Sequence, residues 1–213
     1  APTGSFKDRG AAVMVSAARE SSVEECVEDS SGNAGASLAA YAAAAGIAAH
    51  IFVPATAPSG KKDQIRIYGA QLHEVDGPRQ TATDAAAEYA ADSGLVWLSH
   101  ALSPFFAEGM KAFAYEAATG LMGRIDHVLF PVGNGSLIIG MASGLQELAE
   151  ARGESHRPRL HCVQAEAVRP IVAEINAESW DPEDASPTVA DGIAVATPPR
   201  LAQVVDAVRS SGG

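Results

Sequence analysis

The sequence predicts an α/β protein of parallel strands joined by crossover helices, and three observations carry that reading. Helical and strand periodicities alternate from the first residues to the run "RLHCVQ". Apolar runs such as "HVLFPV" have the composition of strands buried on both faces. Strands hand over to helices through glycine- and serine-rich turns, "EDSSGNAGAS" and "PVGNGSLIIG". Alternation of this kind requires crossover connections. It falls into two α/β series, one before and one after roughly residue 100.

The elements follow in order. The first series reads as a helix over Phe6 to Arg19, a strand over Glu24 to Val27, a helix over Ala34 to Ala45 and a strand over His50 to Val53. A helix over Lys61 to Tyr68 follows, stopped by Gly69, then a strand over Gln71 to Val75, a helix over Thr81 to Ala91 and a strand over Leu95 to Leu98. The second series opens at Ser103-Pro104, an N-cap with proline in the first helical position, and that helix runs to about Thr119. "HVLFPV" is the next strand, "GNGS" a turn, a helix continues to about Ala151, and "RLHCVQ" is a last strand. "AESWDPEDASPTVADG", acidic and rich in Pro and Ser, is expected to be a long surface loop.

The chain of 213 residues is 47% hydrophobic, enough for a proper core in one large or two small domains. Its 15 Lys+Arg against 26 Asp+Glu give a net charge of -11, which repels nucleic acid and anionic membrane surfaces. Cys26 and Cys162 stand far apart with no CxxC, the usage of a reducing compartment, so a cytoplasmic location is expected. In "ASLAAYAAAAGIAAHIFVPATA" the residues Gly46, His50 and Pro54 leave pieces too short to cross a bilayer. The chain starts inside a motif, without methionine or leader, which suggests a fragment.

Three stretches carry candidate chemistry. In "PTGSFKDRG" the bland account of Lys7 is an exposed cation in the first helical turn. The chemical one is a lysine that loses its proton in a closed pocket and condenses with a carbonyl. In "EDSSGNAGAS", Ser30 and Ser31 lead through Gly32 to Asn33 at a helix mouth, where free amides suit a carboxylate, or where a plain N-cap stands. In "PVGNGSLIIG", Gly133 and Gly135 let the backbone fold closely around a phosphate, with Ser136 and the following amides as donors. The string is neither a Walker loop nor a dinucleotide fingerprint. A reactive lysine, a carboxylate site and a phosphate loop together suit an aldehyde cofactor that carries a phosphate, and pyridoxal 5'-phosphate is such a molecule.

On these residues the chain resembles the fold-type II pyridoxal-phosphate enzymes, the tryptophan synthase beta family, and within them the threonine synthase-like branch. "PTGSFKDRG" is similar to the family's Schiff-base lysine motif, "SSGNAGAS" to its asparagine loop and "VGNGS" to its phosphate loop; "VQAE" and "ADGIAV" follow in family order. The resemblance implies two three-layer αβα domains with mainly parallel sheets, apparently truncated at both ends: residues 8–100 as the smaller domain, 1–7 and 101–213 as part of the larger one. It implies that Lys7 is the catalytic and cofactor-bearing lysine. Asn33 would hydrogen-bond the cofactor's 3-hydroxyl, and Gly133, Asn134, Gly135, Ser136 and Leu137 would hold its phosphate. Ser30, Ser31 and the amide of Ala34 would bind the substrate carboxylate. It further implies an amino-acid substrate and a homodimer. The segments that family members carry upstream of the lysine motif and downstream of "RSSGG", the latter bringing a partner to the pyridine nitrogen, are not in these residues.

The activity so implied is that of a lyase of threonine synthase type, acting by elimination and replacement at an amino-acid side chain. Two alternatives are a serine/threonine dehydratase and a catalytically incomplete fragment. "ADGIAV" resembles dehydratases, whereas Asp8 stands where dehydratases have an apolar residue. In "SPFFAEG", Phe106 replaces an arginine that in threonine synthases helps read the substrate phosphate, leaving Lys61 or Lys62 as other basic groups for that task. No metal is expected: His161 and Cys162 are strand neighbours pointing to opposite faces, and His50, His73, His100, His127 and His156 lack ligand spacing, although related dehydratases carry a cation near "ADG". Glu108 is read as structural, and Met110, Phe113 and Met141 as core.

Overall fold

A computed structural model describes residues 1–120, 125–153 and 157–213. The chain divides into two compact units, Ala1–Gly109 and Met110–Gly213. His156 lies outside the described residues.

The first unit is built on four parallel strands in the order β3-β2-β1-β4: β1 (Glu25–Glu28), β2 (Ala48–Pro54), β3 (Gln71–Val75) and the two-residue β4 (Val96–Trp97). The registers pair Val27 with His50 and with Trp97, and Phe52 with His73. Crossovers are supplied by α2 (Asn33–Ala45), α3 (Ser59–Ile67) and α4 (Arg79–Ser93), while α1 (Lys7–Glu20) packs on α2. The two helices can approach because α2 is almost all alanine and small residues, and its positions Ala34 to Ala40 are buried. On one face of the sheet Val27 and Phe52 pack against Ala86 and Ala90 of α4.

The second unit holds β5 (His127–Pro131) and β6 (Arg159–Val163), paired in parallel, with α6 (Ser136–Arg152) as their crossover. The helix α5 (Pro104–Gly120) begins in the first unit and ends in the second. The second core gathers Phe130, Val132, Ile138, Met141, Leu160 and Val204, with Phe113 and Cys162 packed against it. Met110 is fully buried.

The predicted order of elements through β6 matches the structure, with ends shifted by one to two residues at most positions and β3 matching in full. Two differences carry physical content. The strand β5 is not buried on both faces: Leu129 is 65% exposed, and Val163 on β6 is exposed as well. Among the described residues the sheet has only two strands, and its core side rests on α6 and α8 (Leu201–Ser211). Two helices beyond "RLHCVQ", α7 (Pro170–Asn176) and α8, were not predicted. The acidic segment between them is mostly irregular, with 3-10 turns at Pro182–Asp184 and Asp191–Ile193, and the Trp180 indole N–H donates to the Ala196 carbonyl at 3.1 Å.

Candidate active site

Lys7 is the first residue of α1 and follows a turn in which Gly4 adopts φ +75°. That turn is tied down by the residue behind the lysine. Asp8 is 1% exposed; its carboxylate accepts the Thr3 amide at 3.0 Å, the Thr3 hydroxyl at 2.7 Å and the Ser37 hydroxyl of α2 at 2.7 Å. The Ser5 hydroxyl accepts the Lys7 amide at 3.2 Å. The lysine amine lies 5.5 Å from the Phe6 ring centroid and 5.7 Å from that of Phe106. Phe106 reaches this place because Gly109 lets α5 cross α1 at backbone distance: a Cβ there would stand 2.2 Å from the Arg9 carbonyl oxygen. Burial lowers the Lys7 pKa from 10.5 to about 8, with Glu28 opposing and Arg79 adding to the shift.

The second motif leaves the C-terminal end of β1, where ligands bind in open parallel sheets. Ser30 is buried and its hydroxyl accepts the Gly32 amide at 3.3 Å; Ser31 is half-buried. Asn33 is the exposed first residue of α2, and Ala34 behind it is buried. Gly35 makes this turn possible, because a Cβ there would lie 1.9 Å from the Ser30 carbonyl oxygen. The first-turn amides of a helix have no intrahelical acceptor, so the mouth of α2 can take a carboxylate.

The third motif belongs to the second unit. Gly133, Asn134 and Gly135 connect β5 to α6, and Ser136 and Leu137 open that helix. Gly135 sits at φ +85°, and a Cβ on it would fall 2.1 Å from the Val204 side chain. A Cβ on Gly133 would stand 3.1 Å from the Ile193 Cα and 3.2 Å from the Val195 side chain, so the "ADGIAV" segment lies against this loop. The space beside both glycines is therefore filled by the chain itself. Ser136 is buried at a helix mouth. A hydroxyl and first-turn amides after a left-handed glycine form a donor set for a phosphate.

A buried acid–histidine pair of the first unit was missed in the sequence. Glu28 is fully buried and hydrogen-bonds the His100 ring at 2.6 Å and the His100 amide at 3.1 Å. The signal was a tandem acid, "VED", at the end of an apolar strand, where a charge needs a buried partner. The histidines expected to be scattered form pairs: His50 meets His73 at 3.1 Å and Glu25 at 3.1 Å, and His127 meets His161 at 2.8 Å. Among the described residues no three His, Cys, Asp or Glu side chains gather as a metal cluster, and no helix is long and apolar enough to cross a membrane. The Lys62 amine is engaged by Glu74 at 2.7 Å and the Ala55 carbonyl at 3.1 Å.

The first unit carries a lysine with a lowered pKa and a serine- and glycine-rich helix mouth, the second a glycine turn at a helix mouth, each on a parallel α/β scaffold. Residues 1–213 match the family described as "Pyridoxal-phosphate dependent enzyme", and the chain belongs to it. Curated relatives include threonine synthases of Methanocaldococcus jannaschii, 35% identical over 216 residues, and of Bacillus sp. (strain ULM1), 34% identical over 213. Each alignment covers 100% of this chain but 53% and 58% of the relative, so the chain spans about half the length of the curated relatives it matches. Among solved structures, the processed form of threonine deaminase isoform 2 from Solanum lycopersicum shares the fold at TM-score 0.81 and 24% identity, over 96% of this chain and 58% of that one. A pyridoxal 5'-phosphate-dependent aspartate racemase has TM-score 0.81 and 25% identity, over 97% and 62%.

Proposed function

We propose that this chain is part of a pyridoxal-phosphate-dependent lyase of threonine synthase type, acting by elimination and replacement at the side chain of an amino acid. The observation that carries the proposal is Lys7, placed in its motif at the head of α1 with a pKa lowered to about 8. At pH 7 such an amine is neutral in about one molecule in ten, against about one in 3,000 for an ordinary lysine, and the neutral form is the nucleophile and the base. When bound, the cofactor supplies the electron sink that stabilises charge at the substrate Cα. Lys7 would hold it and move the proton at that carbon. Asn33 would bond its 3-hydroxyl, and Gly133, Asn134, Gly135, Ser136 and Leu137 would hold its phosphate. Ser30, Ser31 and the Ala34 amide would orient the substrate carboxylate. The same reading assigns residues 8–100 to a smaller domain, 1–7 and 101–213 to a larger one, and the protein to a cytoplasmic homodimer.

A serine/threonine dehydratase is the second reading, and Phe106 favours it. Its ring is 1% exposed and packed beside Lys7 and His100, so this position offers no charged fork to a substrate phosphate. Lys62, engaged by Glu74, is not a substitute. Incubation with pyridoxal phosphate and borohydride, followed by peptide mass spectrometry, should place the reduced adduct on Lys7; an adduct on Lys61, Lys62 or Lys111 instead would refute the assignment. Steady-state assays with O-phosphohomoserine, L-threonine and L-serine then separate the two readings, a strong preference for the phosphorylated substrate restoring plain threonine synthase.

A further inference from the structure

Glu28 ends β1 with both carboxylate oxygens taken by one residue: Oε1 meets the His100 Nδ1 at 2.6 Å, and Oε2 accepts the His100 amide at 3.1 Å. Side chains alternate along a strand, and Val27 faces α4, so Glu28 lies on the opposite face with Cys26. The His100 ring stands edge-on to Phe106 with centroids 5.9 Å apart, and the Lys7 amine lies 5.7 Å from the Phe106 centroid. A contiguous row therefore runs from Glu28 through His100 and Phe106 to Lys7. Glu28 and Lys7 also act on each other as charges.

We infer that the Glu28–His100 pair is a positioning device for Lys7, seating the aromatic ring beside its amine and linking the protonation of that amine to that of a buried carboxylate. The inference rests on the reading of Lys7 as the reactive lysine. Burial makes any net charge costly here. Two arrangements avoid it with the same number of protons: a charged Lys7 with an ionised Glu28, or a neutral Lys7 with a protonated Glu28. Loss of a proton from the Lys7 amine and gain of one by the Glu28 carboxylate are therefore linked through their charges, each exchanging its proton with solvent, so the amine becomes nucleophilic without a net charge being left on the pair. Burial pushes Glu28 well above the carboxylate range and His100 down to about 3, so the imidazole stays neutral and serves as a hydrogen-bond partner. The other charges facing the cluster are Asp29 after β1 and Arg79 at the head of α4. Asp8, next to Lys7 on α1, is held by Thr3 and Ser37.

The test uses the 213-residue chain without cofactor, grown on [6-13C]lysine, so it remains readable whether or not pyridoxal phosphate attaches to Lys7. Only four lysines are present, and Lys7→Arg assigns the resonance. Glu28→Gln removes the carboxylate that can ionise opposite a charged Lys7 and should lower the Lys7 midpoint by about half a pH unit or more. His100→Gln should also displace it, whereas exposed Glu24→Gln should not. A Lys7 midpoint unchanged in both Glu28→Gln and His100→Gln would overturn the inference. If the variants do not fold, the wild-type chain labelled with [5-13C]glutamate decides: the Lys7 and Glu28 resonances should share an inflection, and independent inflections would overturn the inference.

Discussion

Gly135→Ala tests the architecture of the phosphate loop, and its cost can be worked from two separate features. The backbone at Gly135 has φ +85°, where an alanine costs about 1 kcal/mol. The new Cβ would lie 2.1 Å from the side chain of Val204, which is fully buried on α8, and overpacking of this kind costs about 1–3 kcal/mol. The expected loss is therefore about 2–4 kcal/mol, or a melting temperature lower by roughly 5 to 15 °C for a chain of this size. Urea unfolding followed by circular dichroism measures it. Combining Gly135→Ala with Val204→Ala relieves the contact but not the backbone strain, so the double variant should recover about 1 kcal/mol or more relative to additivity. Gly133→Ala should cost less, because its nearest neighbours stand at 3.1 and 3.2 Å. Affinity for pyridoxal phosphate should fall at least about tenfold in Gly135→Ala, about 1.4 kcal/mol. A variant within about 0.5 kcal/mol of wild type, with no coupling to Val204, would show that the loop does not pack on α8 as described.

Asp8→Ala strips the acceptor from two hydroxyls and one amide in a buried turn and should destabilise by about 2–4 kcal/mol in chemical denaturation, with Asp8→Asn less severe. Lys7→Met should stabilise the chain below pH 8: the folded pKa of about 8 lies below the ordinary 10.5, so the charged lysine is a cost up to pH 8 that fades as pH rises to 10.5. Thermal melts at pH 7 and pH 10.5 check that the gain shrinks at the higher pH. Cys26 behaves oppositely: burial raises its thiol from 9.0 to about 12, so its contribution is intact below pH 9 and lost towards pH 12, and Cys26→Ala should flatten that alkaline decline.

Where side-chain periodicity and turn chemistry agree, the elements were readable from the sequence alone. The strand β3 has its predicted bounds because Gly69 stops the preceding helix and Asp76-Gly77-Pro78 stop the strand. The helix α8 was equally legible, since Val204, Val205, Ala207 and Val208 form one buried stripe, but its signal follows a long acidic segment that invites reading the rest as loop. That the three candidate motifs lie at turns and helix starts was visible because glycine and serine mark such places locally. The Glu28–His100 pair was not, because 72 residues separate its members and only the juxtaposition of β1 and β4 brings them together. The open face of the β5–β6 sheet was hidden for the opposite reason: an apolar strand reads the same whether or not a neighbour covers it.

Two departures from the family pattern pull the substrate assignment in opposite directions, and they do not weigh equally. Asp8, beside the lysine, stands where dehydratases carry an apolar residue, which would argue for the synthase. Its carboxylate, however, is fully occupied by Thr3 and Ser37, binding the turn that carries Lys7 to the helix α2. An apolar residue at that position would need a different turn anchor, and nothing in that exchange touches a substrate side chain. Asp8 therefore bears on how the lysine loop is held and carries no information on the leaving group. Phe106 differs in kind. It lies beside the Lys7 amine, and its place in the resemblance is that of a residue that reads the substrate. An aromatic ring that is 1% exposed offers no charged donor at this position and cannot neutralise a phosphate dianion. The weight of the substrate question consequently rests on Phe106. On the dehydratase reading that Phe106 favours, L-threonine or L-serine should be turned over more strongly than O-phosphohomoserine, and the reverse preference would uphold the threonine synthase reading.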